Sequence, residues 1–301
     1  MKVFVSGASG FVGRNLIGHL LERGHRVSAW QHRESASLET SHPNLSVQWG
    51  DLADPGSDIK LKASLQGCDR IVHLAAKTSE DPSSQSQSRS VNIDGTDKLV
   101  RFAKGAGVSR FIFISSQSAK ITHPGNYGAS KKKGEEVVLA SGLDAVVLRP
   151  AIIYGPGEAG IFKKFVTLVE NIPVIPIPHS AITFRPVYVG DVVRCVTAAI
   201  EGPKYSARIY DVAGADPISF PQLIRKVAQT KKLFRLLIPI PMPLAILGAK
   251  ALALVMKKPP VTVDNLIGLT ETTAVDLKPM MEYLKVVPVS LEEGLRRSLG
   301  A

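Results

Sequence analysis

The sequence predicts an α/β fold: a doubly wound parallel sheet with a smaller C-terminal lobe. Three observations predict it. Short apolar runs alternate with helical patterns through the first 150 residues. A glycine-rich turn joins the first run to the first helix. After Pro150 the pattern changes, and prolines break the chain into short pieces. A chain of 301 residues, 45% hydrophobic and 21% charged, can build one large core with a lobe attached.

Lys2 to Ser6 is a short run with Val3, Phe4 and Val5, suited to a strand buried on both faces. Gly7, Gly10 and Gly13 follow, then Leu16, Ile17, Leu20 and Leu21 at helical spacing. The glycines therefore sit on a strand-to-helix turn. There they let the backbone turn tightly and approach a diphosphate, which rests on the helix N-terminus as in Rossmann folds. Further strand-like runs are Arg26 to Trp30, Leu45 to Trp49, Arg70 to Leu74, Arg110 to Ile114 and Ala145 to Leu148. Asn92 to Ala106 and Gly134 to Ala140 read as helices between them. Ser79 to Ser90 reads as a surface loop. Alternation of this kind gives a parallel sheet covered on both faces.

The end of the second strand bears on the cofactor. An acid there would hold the ribose 2′-hydroxyl of NAD. This chain has Gln31, His32 and Arg33, and a base can pair with a 2′-phosphate, so NADP is favoured over NAD. The net charge of +11 fits an anionic cofactor or substrate. No basic stripe with interleaved aromatics is present, so nucleic acid is not expected. Cys68 and Cys195 have neither metal-ligand nor redox spacing and read as small buried hydrophobes. No metal site is expected. The N-terminus lacks the long apolar stretch of a signal peptide, and a cytoplasmic protein is expected.

Several further segments follow in one order. They are Gly50-Asp51-Leu52, His73-Leu74-Ala75-Ala76, Val91-Asn92-Ile93-Asp94-Gly95-Thr96, Ile114-Ser115-Ser116 and Tyr127-Gly128-Ala129-Ser130-Lys131. Leu148-Arg149-Pro150 runs on to Tyr154-Gly155-Pro156-Gly157; Pro186 to Val192 and Ser290 to Leu295 come last. Together they resemble the extended short-chain dehydrogenase/reductase family of sugar-nucleotide epimerases and dehydratases, over nearly the whole chain. The resemblance implies that Gly7, Gly10, Phe11 and Gly13 cradle the cofactor diphosphate. It implies that Asp51 and Leu52 flank the adenine, that Ala75 and Ala76 pack along the cofactor, and that Pro150 borders the nicotinamide. Arg33 joins the cofactor-binding set. Tyr127, Lys131 and Ser116 match the family's catalytic residues, with Lys131 also holding the nicotinamide ribose.

The chemistry fits these residue types. Tyr127 and Lys131 are four apart, on one helix face. A free tyrosine has a pKa of about 10. An adjacent ammonium favours the phenolate, so Tyr127 can take a proton from an alcohol or return one to an alkoxide. Ser116 would orient the same oxygen. Ser116 and Tyr127 are only eleven apart, shorter than in many relatives, which suggests a more open site and leaves Ser118 as an alternative to Ser116.

The expected division is a dinucleotide-binding domain over 1–150, with 190–213 returning to it, and a substrate-binding lobe over 151–301. Lys163, Lys164 and Arg185 are candidate cations for a substrate diphosphate, and His179 a candidate lining residue. Leu233 to Met256 is the most apolar region, but Arg235, prolines and Lys250 interrupt it below the roughly 20 apolar residues of a membrane span. A lid over the substrate crevice is favoured there over membrane contact. The expected activity is oxidoreduction or epimerisation at a secondary alcohol or ketone, foremost of a nucleotide sugar. The alternatives are a steroid- or flavonoid-type ketone reductase, and a non-catalytic dinucleotide-binding protein. The last follows from the similarity of Pro186 to Val192 to the accessory subunit of respiratory complex I. A small anionic substrate is the expected partner, and a homodimer is left open.

Overall fold

The computed structural model describes residues 1–32, 38, 41–77, 89–122, 124–178, 182–205, 208–255 and 273–300, with side chains to Ala251 in the last but one segment. Arg33, His179 and most of the Ser79–Ser90 segment lie outside these residues. Seven strands form the main sheet: β1 (Lys2–Ser6), β2 (Arg26–Gln31), β3 (Leu45–Trp49), β4 (Arg70–His73), β5 (Arg110–Ile114), β6 (Asp144–Pro150) and β7 (Ile209–Val212). Their order is β3-β2-β1-β4-β5-β6-β7, all neighbours parallel. This is the doubly wound Rossmann arrangement.

Burial explains the sequence pattern. Val3, Phe4 and Val5 of β1 and Phe111, Ile112 and Phe113 of β5 are fully buried, because helices cover both faces of the central strands. β3, at the sheet edge, alternates instead between exposed and half-buried positions. Helix α1 (Phe11–Glu22) buries Gly13, Leu16, Ile17 and Leu20. Next come α2 (Asp58–Leu65), α3 (Gly95–Gly105) and α4 (Gly125–Ala140). Cys68 and Cys195 are both buried and free.

The chain forms two compact units. The first comprises Met1–Ala151, Val189–Val212 and Val275–Val287. It is re-entered by α6 (Val189–Glu201), which packs on α1, then by β7, and again by α9 (Lys278–Tyr283). The second comprises Ile152–Tyr188, Ala213–Ala274 and Pro288–Ala301. It contains α5 (Ile161–Asn171), α7 (Phe220–Thr230), α8 (Met242–Val255) and α10 (Leu291–Leu299). Its core gathers Phe162, Val166, Ile224, Val227, Leu291 and Leu295. A Ser219–Gln222 capping box starts α7, and Ser290 caps α10 by accepting from the Glu293 amide at 3.3 Å. Two sequence motifs meet here: a Cβ on Gly294 would lie 2.0 Å from the Tyr154 hydroxyl, so only glycine fits.

Candidate active site

The sheet order reverses between β1 and β4, and ligands of open α/β sheets bind beyond the strand ends at such a switch point. Ser6 ends β1 beside His73 at the end of β4. The glycine turn follows β1, with Gly7 at φ +71°. A Cβ on Gly7 would sit 2.6 Å from the Ala75 amide nitrogen, and one on Gly13 would sit 2.3 Å from the Gly7 carbonyl oxygen. The Gly10 amide donates to the Gly7 carbonyl at 3.0 Å. The turn therefore folds on itself and against Ala75, leaving bare backbone at the α1 N-terminus, whose first turn holds no acid. That is the cradle a diphosphate requires. Phe11 opens α1, half-buried.

Asp51 and Leu52 follow β3. The Asp51 side chain accepts from the Ala53 amide at 2.8 Å, which fixes the turn. Leu52 is buried, and a Cβ on Gly95 would lie 3.1 Å from it, so α3 starts with a glycine to make room. Ala75 and Ala76 are half-buried beyond β4. Pro150 ends β6 beside Val212.

A buried polar chain supports the Ala75–Lys77 segment. His73 is fully buried. The Thr96 hydroxyl donates to the Asn92 carbonyl at 2.7 Å, so it accepts from His73 Nε2 at 2.9 Å. His73 Nδ1 is then the acceptor for the Ser6 hydroxyl at 2.6 Å, and Ser6 Oγ in turn accepts from the Ala75 amide at 3.3 Å. Burial first, and the Lys131 charge second, hold the His73 pKa down at about 3, so the ring is neutral. Asn92, in a π-helical turn at Ser90–Asp94, clamps the segment from its other side. Its Oδ1 accepts from the Lys77 amide at 2.7 Å, and its Nδ2 donates to the Lys77 carbonyl at 3.0 Å and to Ser130 Oγ at 2.9 Å. Ser130 Oγ donates to the Tyr127 carbonyl at 2.7 Å. Asn92 thus couples the end of β4 to the helix that carries Tyr127 and Lys131.

That helix is α4. Lys131 is 3% exposed, and its ammonium donates to the Ile114 carbonyl at 2.7 Å. It lies 4.9 Å from the Phe113 ring centre and 5.9 Å from that of half-buried Tyr127. Burial lowers its pKa to about 7 against the opposing pull of Glu135. One turn further along α4, the buried Glu135 carboxylate accepts from the Ser115 hydroxyl. It also takes Arg149 Nε at 2.8 Å and Nη2 at 2.5 Å. Gly128 lets α4 approach the 116–118 segment, since a Cβ there would lie 2.6 Å from the Ser118 carbonyl oxygen. Ser116 Oγ accepts from the Ser118 amide at 3.1 Å and from the Ser118 hydroxyl at 2.9 Å.

Among the sequence-derived residues, the fold brings Gly7, Gly10 and Gly13 together with Ala75, and Lys131 together with Tyr127. Sequence reasoning assigned no role to His73, Asn92, Glu135 or Arg149. The available signal was that His73, Asn92 and Arg149 stand inside the motifs that carry the family resemblance, with His73 the polar end of an apolar run. In the second unit, Arg185 donates to the Gly214 carbonyl at 3.2 Å and also to the Ala215 carbonyl, while Lys163 and Lys164 are exposed.

Residues 3–213 match the NAD dependent epimerase/dehydratase family. The chain is 27% identical over 269 residues to a UDP-glucose 4-epimerase of Vibrio cholerae, covering 79% of each. It is 30% identical over 259 residues to a ceramide reductase of Caulobacter vibrioides, covering 83% of this chain and 76% of the relative. Its fold superposes with a TM-score of 0.77 on a dTDP-glucose 4,6-dehydratase of Streptomyces venezuelae solved with NAD bound, at 22% identity, covering 100% of this chain and 96% of that one.

Proposed function

The chain belongs to the NAD dependent epimerase/dehydratase family, and from that premise we propose that it interconverts a secondary alcohol and a ketone, with Tyr127 as the proton-transfer group. Membership makes it an NAD-dependent enzyme of the short-chain dehydrogenase type. When bound, the nicotinamide dinucleotide supplies or takes up the hydride. Gly7, Gly10, Phe11 and Gly13 would hold its diphosphate, Asp51 and Leu52 its adenine, and Ala75, Ala76, Lys131 and Pro150 its nicotinamide end.

The observation that carries the reading is the Lys131 ammonium, buried, held by the Ile114 carbonyl and placed beside the Tyr127 ring. A positive charge there favours the phenolate, so Tyr127 accepts a proton from an alcohol more readily than a free tyrosine does. In the opposite direction Tyr127 protonates the developing alkoxide. Ser116, its lone pairs taken by Ser118, donates to the same oxygen and fixes its position. His73 and Asn92 hold the segment along which the cofactor would lie.

NADP is favoured over NAD because β2 leads into Gln31, His32 and Arg33 with no acid. A calorimetric titration of both cofactors tests this; equal or tighter binding of NAD overturns it. Arg33→Ala should weaken NADP selectively.

For the substrate, a nucleotide sugar is supported by the family and by the basic charge of the chain. A second reading, an apolar ketone, is favoured by one observation. Arg185, a candidate for the sugar-nucleotide diphosphate, is engaged by backbone carbonyls of its own unit. The ceramide reductase relative points the same way. A screen of UDP- and dTDP-sugars against long-chain and sterol ketones, read by nicotinamide absorbance, separates the two. No turnover in either class would remove the proposed reaction.

A further inference from the structure

In the second unit, strand Leu236–Ile240 runs parallel to strand Val174–Pro178, with Leu236 beside Val174 and Ile238 beside Pro176. Side chains alternate between the faces of a strand. Ile175, Ile177 and Leu237 face the core. The opposite face carries Val174, Leu236 and Ile238, which are 45%, 49% and 43% exposed. Phe234, two residues ahead of Leu236 and so in phase with it, is 86% exposed. Helix α8 packs against strand Val174–Pro178 and buries Ala249, yet leaves Leu244 and Leu247 open to water. Large apolar side chains gathered in this way mark a contact surface.

Charge names what lies against it. From Pro217 to Val255 the chain has six lysines and arginines and no aspartate or glutamate, and of these Lys226 and Lys231 are paired with Glu292 and Glu170 of the same unit. Lys232 and Lys250, in the same stretch of chain, are exposed. A second copy meeting this face symmetrically would set like charges against each other. Anionic headgroups over an acyl interior satisfy both properties. We infer that this face of the second unit seats the protein on an anionic lipid bilayer, with the apolar side chains at the acyl boundary and the lysines at the phosphates. No helix among the described residues is long and apolar enough to cross a membrane. The sequence favoured a lid without membrane contact; the exposure of Phe234, Leu236, Ile238 and Leu247 changes that weighing.

The test is cosedimentation of the full chain with vesicles of phosphatidylcholine alone and with phosphatidylserine added. The protein should pellet with the anionic vesicles and far less with the neutral ones. Combining Phe234→Ser, Leu236→Ser and Ile238→Ser should weaken partitioning about tenfold or more, with melting temperature and cofactor affinity kept. Lys232→Gln with Lys250→Gln should weaken it by about fivefold per charge. These two lysines are exposed, so the charge variant decides alone should the serine variant unfold. Wild-type protein left in the supernatant with both vesicle types overturns the inference. So does undiminished binding by the folded variants, or a wild-type dimer that the serine variant splits, which would assign the face to a second copy.

Discussion

The two units differ most in what they bury. Among the described residues, every buried charged side chain belongs to the first unit, as do all the buried polar ones apart from Tyr154; they include His73, Asn92, Lys131, Glu135 and Asp211. The core of the second gathers aliphatic and aromatic side chains, Tyr154 among them, and most of the exposed large hydrophobics are found there. The difference separates two physical tasks. A reacting group needs fixed geometry and a low dielectric, which buried hydrogen-bonded side chains supply. An apolar scaffold tolerates change in what its surface binds. Substitutions in the two units should therefore fail in different ways.

The largest effect is expected on turnover. Tyr127→Phe keeps the ring and should lower kcat by about 10²–10⁴-fold with cofactor affinity nearly unchanged. Steady-state kinetics and calorimetry on the same preparation check it, and full activity would remove Tyr127 from the mechanism. Next come the interiors. Glu135→Leu strands the Arg149 guanidinium and should cost about 3–5 kcal/mol in urea unfolding. Adding Arg149→Met should recover most of that loss, because an apolar pair can replace a buried ion pair. Ile224→Ala in the second core should cost about 2–5 kcal/mol, with no such rescue by a polar partner. If the double variant is no better than Glu135→Leu, the contrast between the interiors fails.

Acid should expose the same contrast. The folded His73 pKa of about 3 lies below its ordinary 6.5. In between, the unfolded chain holds a proton that the folded chain refuses. Stability from this group is therefore intact above pH 6.5 and is lost as pH falls towards 3, at up to about 1.4 kcal/mol per pH unit. Lys131, lowered from 10.5 to about 7, adds stability as pH rises through that higher window. His73→Phe should flatten the acid limb of a urea-midpoint profile; an unchanged limb would place the proton elsewhere. The smallest effect is expected on the open face of the second unit, where Phe234→Ser should alter stability by no more than about 0.5 kcal/mol. A larger loss in a thermal melt would mean that Phe234 is structural.

Periodicity made the first unit legible. Val3–Val5 and Phe111–Phe113 are continuous apolar runs because both faces are covered, and β1, β3 and β5 have the limits that the pattern predicts. Glycine spacing located the turn because Gly7 and Gly13 are the positions where a Cβ collides with backbone. Helix α4 was read from Gly134 onward, yet it starts at Gly125, because its first turns carry glycine, serine and lysine rather than an apolar stripe. The pairs Glu135–Arg149, His73–Thr96 and Asn92–Ser130 stayed hidden. They join separate elements, and no local spacing encodes a contact made only when the sheet closes. The surface of the second unit was illegible for a related reason: hydrophobicity reports how apolar Leu233–Met256 is, but not which of its side chains find partners.

The path of the chain bears on how the protein is made. β6 ends at Pro150, whereas its outer neighbour β7 ends at Val212. On the ribosome the completed stretch up to Pro150 would present Val146, Val147 and Leu148 along an unpaired border while the next 62 residues are added. At about 5–20 residues per second that interval lasts roughly 3–12 seconds. During it the nascent chain offers a flat, adhesive β-edge, the kind that chaperones shield and aggregates recruit.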